Sequence, residues 1–482
     1  MKKKLELYIH IPFCVRKCLY CDFVSFAGKE GRIDEYVRAL CDEIGAVSGR
    51  YADFEISSVY IGGGTPSLLN PDQISVLVRK IYQCFDLEGT YEKRKGLYFQ
   101  KKIRPQVEFS IECNPGTVDA KKLKTYRKLG INRLSIGLQS TDEADLKALG
   151  RIHSFEDFEN TFEAARSAGF DNINIDLMQA IPGQSLSTWK KVLALASMFR
   201  PEHISAYSLI IEDGTPFKSL YDSGKLNLPD EDEEREIYHY TKEFLEKAGY
   251  RRYEISNYAL PDFECRHNIG YWTRENYLGL GLNASSMVEN ERWKNTADLD
   301  RYLSFSENPQ NTIKNEYQDL ALRGYTQNTI REDYQELTLG GHTQNTIREE
   351  CQDFALGEQT QNTIWKEYQD SALRDHTQNT IREEYQDPAL RGHTQNTIRE
   401  EYQKLTLREQ MEEFVFLGLR LTDGISKQKF FDTFHQDFDF TFGEKLQQFI
   451  DMDLIISSKD NVKFTDKGTD VSNHILSRLL LD

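Results

Sequence analysis

Six times between residues 7 and about 210, a short β-branched run gives way to a longer amphipathic stretch, and this alternation constrains the fold more than any other feature. The pattern predicts strands over 7–11, 57–61, 107–111, 133–138, 172–177 and 203–209, with helices over 32–47, 71–84, 119–129, 155–168 and 186–198 between them. Repeated strand–helix units imply a parallel α/β sheet. Right-handed crossovers curl such a sheet into a barrel or part of one. The unusual residues sit at the ends of these strands. A cysteine loop follows the first, Gly62-Gly63-Gly64-Thr65-Pro66 the second and Glu112-Cys113-Asn114-Pro115 the third, while Gln139 closes the fourth and Asp176 ends the fifth. In barrel enzymes the carboxyl ends of the strands form the active face, so all five features are expected on one rim.

The cysteine loop carries Cys14, Cys18 and Cys21 in a C-x3-C-x2-C spacing. Complete ligation of a [4Fe–4S] cube takes four cysteines, so three thiolates leave one iron with open coordination sites. S-adenosylmethionine (SAM) suits that iron, because its amine and carboxylate chelate while its sulfonium accepts an electron. Homolytic C–S cleavage then yields a 5′-deoxyadenosyl radical, chemistry that belongs to the cofactor and is positioned by protein. A zinc site prefers a second C-x2-C pair, and Cys41, Cys84, Cys113, Cys265 and Cys351 supply none. A disulfide framework is not expected in a chain of 482 residues with 8 cysteines.

Composition narrows the class. With 28% charged residues, 39% hydrophobic ones and a net charge of −17, the chain reads as an acidic globular protein, against the basic footprint of broad nucleic-acid binding. Met1-Lys2-Lys3-Lys4 leads into no apolar run, so no signal peptide is expected. No run of about eighteen apolar residues is present to span a bilayer. Together with reduced cysteines, this points to the cytoplasm and leaves association with a membrane surface open.

Four regions are expected: a barrel over 1–230, an extension over 231–307 with an acidic helix and an aromatic loop, a repeat tract over 308–403, and an α-rich domain over 404–482 with a hairpin near 454–464. In the tract, Gln-Asn-Thr-Ile begins at 310, 327, 344, 361, 378 and 395, a period of seventeen. The capping-box pattern Thr329-x-x-Glu332 predicts a short helix for each copy. Removing residues 319–403 joins Gln318 to Lys404 without disturbing the pattern, so the tract reads as a tandem expansion of one segment. A tolerated surface insertion is the simpler reading, and a partner-binding array the other.

Glycines 62–64 allow backbone groups to approach a ligand without a Cβ clash, although a tight strand-to-helix turn explains them equally well. Glu112 and Asp176 suit ribose hydroxyls and a cationic ligand, since ionised carboxylates only accept hydrogen bonds. Gln139 and Arg151 can hold the adenosine portion and the methionine carboxylate. Tyr8-x-His10-x-Pro12-Phe13-Cys14, Gly62-Gly63-Gly64-Thr65-Pro66-Ser67, Ile111-Glu112-Cys113-Asn114-Pro115, Leu134-Ser135-Ile136-Gly137-Leu138-Gln139, Arg151, Asn174-Ile175-Asp176-Leu177 and Ile181-Pro182-Gly183-Gln184 together resemble the radical-SAM coproporphyrinogen oxidase family. The resemblance runs from residue 5 to about 303 and resumes near 405. It implies a (β/α)6 partial TIM barrel with a small helical carboxyl-terminal domain, and a cluster on Cys14, Cys18 and Cys21. It also implies SAM contacts at Tyr8, Tyr20, Gly63, Gly64, Thr65, Glu112, Gln139, Arg151 and Asp176, with a main-chain contact at Ile210.

Two branches of that family differ where this chain has Asp22-Phe23. Decarboxylating enzymes resemble C-x3-C-x2-C-x-C, whereas the HemW-type haem chaperones resemble C-x3-C-x2-C-D-F and carry H-N-x-x-Y-W, present as His267-Asn268-Ile269-Gly270-Tyr271-Trp272. Imidazole is a common axial ligand of haem iron, and a tyrosine and a tryptophan can flank a flat macrocycle. A structural histidine in an aromatic loop is the plain alternative. The resemblance implies a chaperone that binds haem, a [4Fe–4S] cluster and SAM and passes haem to respiratory haem proteins, without coproporphyrinogen oxidase activity. The alternative is an oxygen-independent coproporphyrinogen oxidase.

Overall fold

A computed structural model of the chain describes residues 2–87, 107–304 and 398–481. Six parallel strands form the frame: β1 (Lys3–Ile11), β2 (Phe54–Gly63), β3 (Glu108–Cys113), β4 (Arg133–Gln139), β5 (Ile173–Gln179) and β6 (His203–Ser208). Between them run α1 (Ile33–Val47), α2 (Pro71–Cys84), α3 (Ala120–Lys128), α4 (Phe155–Ser167) and α5 (Leu186–Met198). Local chemistry sets where these helices begin. Asn70, Ser154 and Ser185 each close a capping box at the start of α2, α4 and α5, satisfying amide donors that have no partner inside the helix.

Beyond β6 the chain forms α6 (Glu231–Lys247), β7 (Arg251–Arg252), β8 (Asn257–Ala259), α7 (Arg266–Trp272), β9 (Asn276–Leu280), β10 (Ser285–Val288) and β11 (Glu291–Asn295). A last strand, β12 (Arg399–Lys404), completes one sheet with the order β12-β11-β10-β9-β1-β2-β3-β4-β5-β6-β8-β7. β9 runs parallel to β1 on its free side. The sequence pattern missed it because Asn276-Tyr277-Leu278-Gly279-Leu280 is short and broken by glycine.

The frame strands alternate in a way that inverts an ordinary barrel core. Leu5, Leu7 and Ile9 on β1, Leu134 and Ile136 on β4, and Ile173 and Ile175 on β5 are fully buried on the side that the helices cover, each contributing roughly 1.5–3 kcal/mol. The alternate positions, Glu6, Tyr8 and His10, Arg133 and Ser135, Asn174 and Asp176, and His203, Ser205 and Tyr207, lie on the opposite, inner face and meet their neighbours on adjacent strands. Their contacts show it: Tyr8 stacks on Tyr60 with centroids 6.4 Å apart, Ser135 donates to Asp176 at 3.2 Å, and Asn174 Oδ1 meets His203 Nδ1 at 2.6 Å. The wall is therefore held from its outer, apolar face, and the interior is polar.

The carboxyl-terminal domain packs helices Leu407–Gly418, Lys427–Phe434 and Phe438–Asp451 with a hairpin of Ile455–Ser457 and Asn461–Phe464. Its core is phenylalanine-rich, built on Phe414, Phe430, Phe434, Phe438, Phe442 and Phe449. Glu413 ties it to the barrel by accepting from Arg274 at 3.1 Å and pairing with Arg292 at 2.6 Å. Arg420 lies over the Trp272 ring at 5.1 Å.

The first five repeat copies lie outside the described residues. The sixth corrects the helix expectation, because its Arg399–Lys404 segment is strand β12, antiparallel to β11 with Asn295 opposite Arg399 and Arg292 opposite Gln403. Pairing with an open sheet edge outweighs a weak local helix preference, and Arg399 adds a contact over the Trp293 ring at 4.5 Å. Lys314-Asn315-Glu316-Tyr317-Gln318 followed by Lys404 nearly reproduces the β12 sequence. A chain lacking residues 319–403 is therefore expected to refill β12 from the first copy. Its thermal midpoint should stay within about 3 °C of the full chain, and a fall of more than about 10 °C would contradict this.

Candidate functional site

One pocket opens at the carboxyl ends of the strands. Cys14, Cys18, Tyr20, Cys21, Gly63, Gly64, Thr65, Glu112, Gln139, Arg151 and Asp176 all line it. The structure thus brings together most of the residues expected from the sequence. Tyr8, Ile210 and His267 do not line it. Tyr8 lies deeper on β1, its hydroxyl 3.0 Å from His10 Nδ1, and Ile210 is exposed on the loop after β6.

The cysteine loop is fixed by β1 and by the glycine turn after β2. Gly64 N–H donates to Ile11 O at 2.9 Å and Thr65 N–H to Phe13 O at 2.8 Å. Thr65 Oγ1 reaches Cys14 Sγ at 3.5 Å, and Arg151 Nη1 reaches Cys18 Sγ at 3.6 Å. Arg151 is itself anchored by Nη2, which donates to Asn114 Oδ1 and Gly137 O, both at 2.7 Å. All three thiols are free of disulfides. Burial pushes the Cys21 thiol up to about 11, so binding a metal there must displace its proton.

Two carboxylates line the same pocket. Glu112 accepts from Tyr60 Oη and from the Gly63 N–H, each at 3.0 Å. Burial, and then the neighbouring Asp176, push it up to about 7. Asp176 accepts from Asn174 Nδ2 at 2.7 Å and from Ser135, and burial raises it too. Gln139 sits at the bulge in β4 with a left-handed φ of 68°. Its Oε1 accepts from Tyr207 Oη at 2.9 Å. Such backbone strain clusters at ligand sites.

His267 lies elsewhere. It enters the lumen from α7, at the level of Glu6 and Ser58, while the cysteine loop follows Ile11. Five residues along one strand span about 16 Å. Its Nδ1 is 2.8 Å from Ser58 Oγ and its Nε2 3.2 Å from Tyr271 Oη, and the ring stacks on Tyr60 at 5.1 Å. The residue is only 1% exposed, and burial, with Arg133 nearby, pushes it down to about 3. Both ring nitrogens are engaged by side-chain hydroxyls in this conformation. Glu108 completes the seat by accepting from the Arg266 N–H at 3.0 Å and the His267 N–H at 3.3 Å.

The sequence reading missed Asn114, Tyr207 and Arg133 as site residues. For Arg133 and Tyr207 the signal was a polar residue at an alternate strand position, and for Asn114 its place directly after β3.

Strand order, glycine turn and cysteine rim define a radical-SAM protein. Residues 8–196 match the radical SAM superfamily, and residues 405–471 match the HemN C-terminal domain. The chain is 38% identical to the heme chaperone HemW of Escherichia coli strain K12, over 59% of this chain and 70% of that one. It is 36% identical to HemW of Bacillus subtilis strain 168, over 61% and 74%, and 29% identical to HemW of Lactococcus lactis, over 100% and 99%. The fold is similar to that of coproporphyrinogen III oxidase (HemN) from Escherichia coli, with a TM-score of 0.68, 19% identity, and coverage of 99% of this chain and 90% of that one. The chain belongs to the HemW branch of the radical-SAM coproporphyrinogen oxidase-like family.

That family implies a [4Fe–4S] cluster and SAM, and the residues present fit both. Three thiols open onto one pocket. A Cβ on Gly64 would lie 2.8 Å from Phe13 O and 3.0 Å from Cys14 Sγ, so only glycine leaves the cradle clear. Among the described residues, no group of His, Cys, Asp and Glu is arranged to hold a single metal ion; a cube, by contrast, takes its thiolates at separate corners. Also among the described residues, no helix is long and apolar enough to cross a membrane.

Proposed function

We propose that this protein is a haem chaperone of the cytoplasm that binds haem, a [4Fe–4S] cluster and SAM, and hands haem to haem proteins of the respiratory chain. Cys14, Cys18 and Cys21 hold the cluster, which when bound supplies an electron and an open iron for SAM. Glu112 and Asp176 present carboxylates to the ligand's cationic end and ribose, and Gly63 and Gly64 let it approach the backbone. Arg151 keeps the Cys18 side of the loop in place through Asn114 and Gly137.

The observation that carries the reading is the mouth of the pocket. Asp22-Phe23 follows the third cysteine where the decarboxylating pattern has a further cysteine. Phe23 lines the opening at 59% exposure beside Val15 at 52% and Ile152 at 59%. An apolar rim of this kind suits the face of a flat macrocycle. The names of the HemW relatives support the same reading. Ligation of haem iron by His267 requires its ring to give up Ser58 or Tyr271, so the rim is the simpler seat. The competing reading, oxygen-independent coproporphyrinogen oxidation, is favoured by the fold it shares with HemN.

Anaerobically reconstituted protein should bind haem stoichiometrically, seen as a shifted Soret band, and should leave coproporphyrinogen unconverted in the presence of SAM and reductant. Conversion to protoporphyrinogen without haem binding would establish the competing reading.

A further inference from the structure

Below the cysteine pocket a second, polar cavity of about 170 Å³ lies inside the barrel. It is lined by Arg133, Asn174, Ser205, Asn257 and Asn268, and it shares Asp176 with the pocket above. Arg133 is 1% exposed. Among the described residues its guanidinium makes no hydrogen bond or ion pair, and its Nε is enclosed without a partner. Asn257 Oδ1 is enclosed in the same way.

A guanidinium cannot shed its charge in a protein; burial disfavours that charge here and neighbouring groups, Glu108 among them, favour it through space, but a buried donor left without a hydrogen bond is still costly. The nearby carboxylates are already committed. Glu108 caps α7 through the Arg266 and His267 amides, Asp176 accepts from Asn174 and Ser135, and Glu112 holds Tyr60 and Gly63. What the cavity offers is therefore one fixed cation among amide and hydroxyl groups, with the Asp176 carboxylate, held by Asn174 and Ser135, also on its wall.

We propose that this lumen cavity is a carboxylate-binding subsite anchored by Arg133. A carboxylate matches the planar fork of the guanidinium. Its source is either a free small carboxylate or a carboxylate arm of a larger ligand seated at the rim above. The subsite does not depend on the haem reading, because the first source needs no haem.

The test uses the full chain with its cluster reconstituted. Sodium propionate is titrated against sodium chloride at equal ionic strength while the thermal midpoint is followed, for wild type, Arg133→Gln and Asn268→Leu. In a second arm, binding of haem is compared with binding of its dimethyl ester. A free-carboxylate site raises the wild-type midpoint by about 2 °C or more over chloride, an effect absent from both variants. A carboxylate-arm site instead weakens binding of the ester about tenfold in wild type and leaves acid and ester equal in Arg133→Gln. The Asn268→Leu variant fills the cavity from α7 and leaves Arg133 in place, so it guards against misfolding of Arg133→Gln. If propionate matches chloride and the ester matches the acid in wild type, or if either effect persists in both variants, the proposal is overturned.

Discussion

Gly64→Ala protein is expected to lose most of its iron and sulfide on reconstitution while remaining folded. The added Cβ would stand 2.8 Å from Phe13 O and 3.0 Å from Cys14 Sγ. Neither neighbour can yield cheaply, because Phe13 O already accepts the Thr65 N–H and Cys14 must hold its corner of the cube. Gly63→Ala should be as damaging for a different reason. Its φ of +112° is one that L residues rarely adopt, and its Cβ would meet the His10 ring at 2.5 Å. Strain of that kind costs about 1–3 kcal/mol before the clash is counted. Iron and labile-sulfide content, with far-ultraviolet circular dichroism as the folding control, checks both. Full cluster content in Gly64→Ala would show that the glycine turn does not cradle the cluster.

Glu112→Gln is expected to weaken SAM binding about 10- to 100-fold at pH 8, the loss of a charge-assisted contact in a buried site. The pH dependence separates charge from shape. Glu112 is pushed up to about 7, so it is largely protonated at pH 6 and ionised at pH 8. A cationic ligand favours the ionised form. Wild-type affinity should therefore rise more steeply than that of Glu112→Gln as pH increases through about 7, the rise left in the variant belonging to the ligand's own amine. Equilibrium binding of SAM to cluster-loaded protein reads both. Parallel wild-type and variant profiles would remove Glu112 from ligand recognition.

The frame and the rim were legible because their signals are local. Strand β4 was expected to begin at Arg133 and helix α2 to span 71–84, and both do. Alternation needs only a few consecutive residues, and a capping box needs four. Features set by distant partners were not legible. Strand β9 exists because β1 has a free edge, and β12 exists because β11 does. His267 reads as a ligand in isolation, yet Ser58 and Tyr271 claim its nitrogens. Arg133 reads as an ordinary strand residue until it is seen buried in the lumen with its Nε enclosed and unpartnered.

The most direct test of the account is the metal content and spectrum of the anaerobically reconstituted chain, alone and with SAM. The account predicts about four irons and four sulfides per chain, an electron paramagnetic resonance signal after reduction that changes when SAM is added, and no uptake when Cys14, Cys18 and Cys21 are all serine. Failure to take up iron and sulfide, or a reduced signal that is indifferent to SAM, would contradict it.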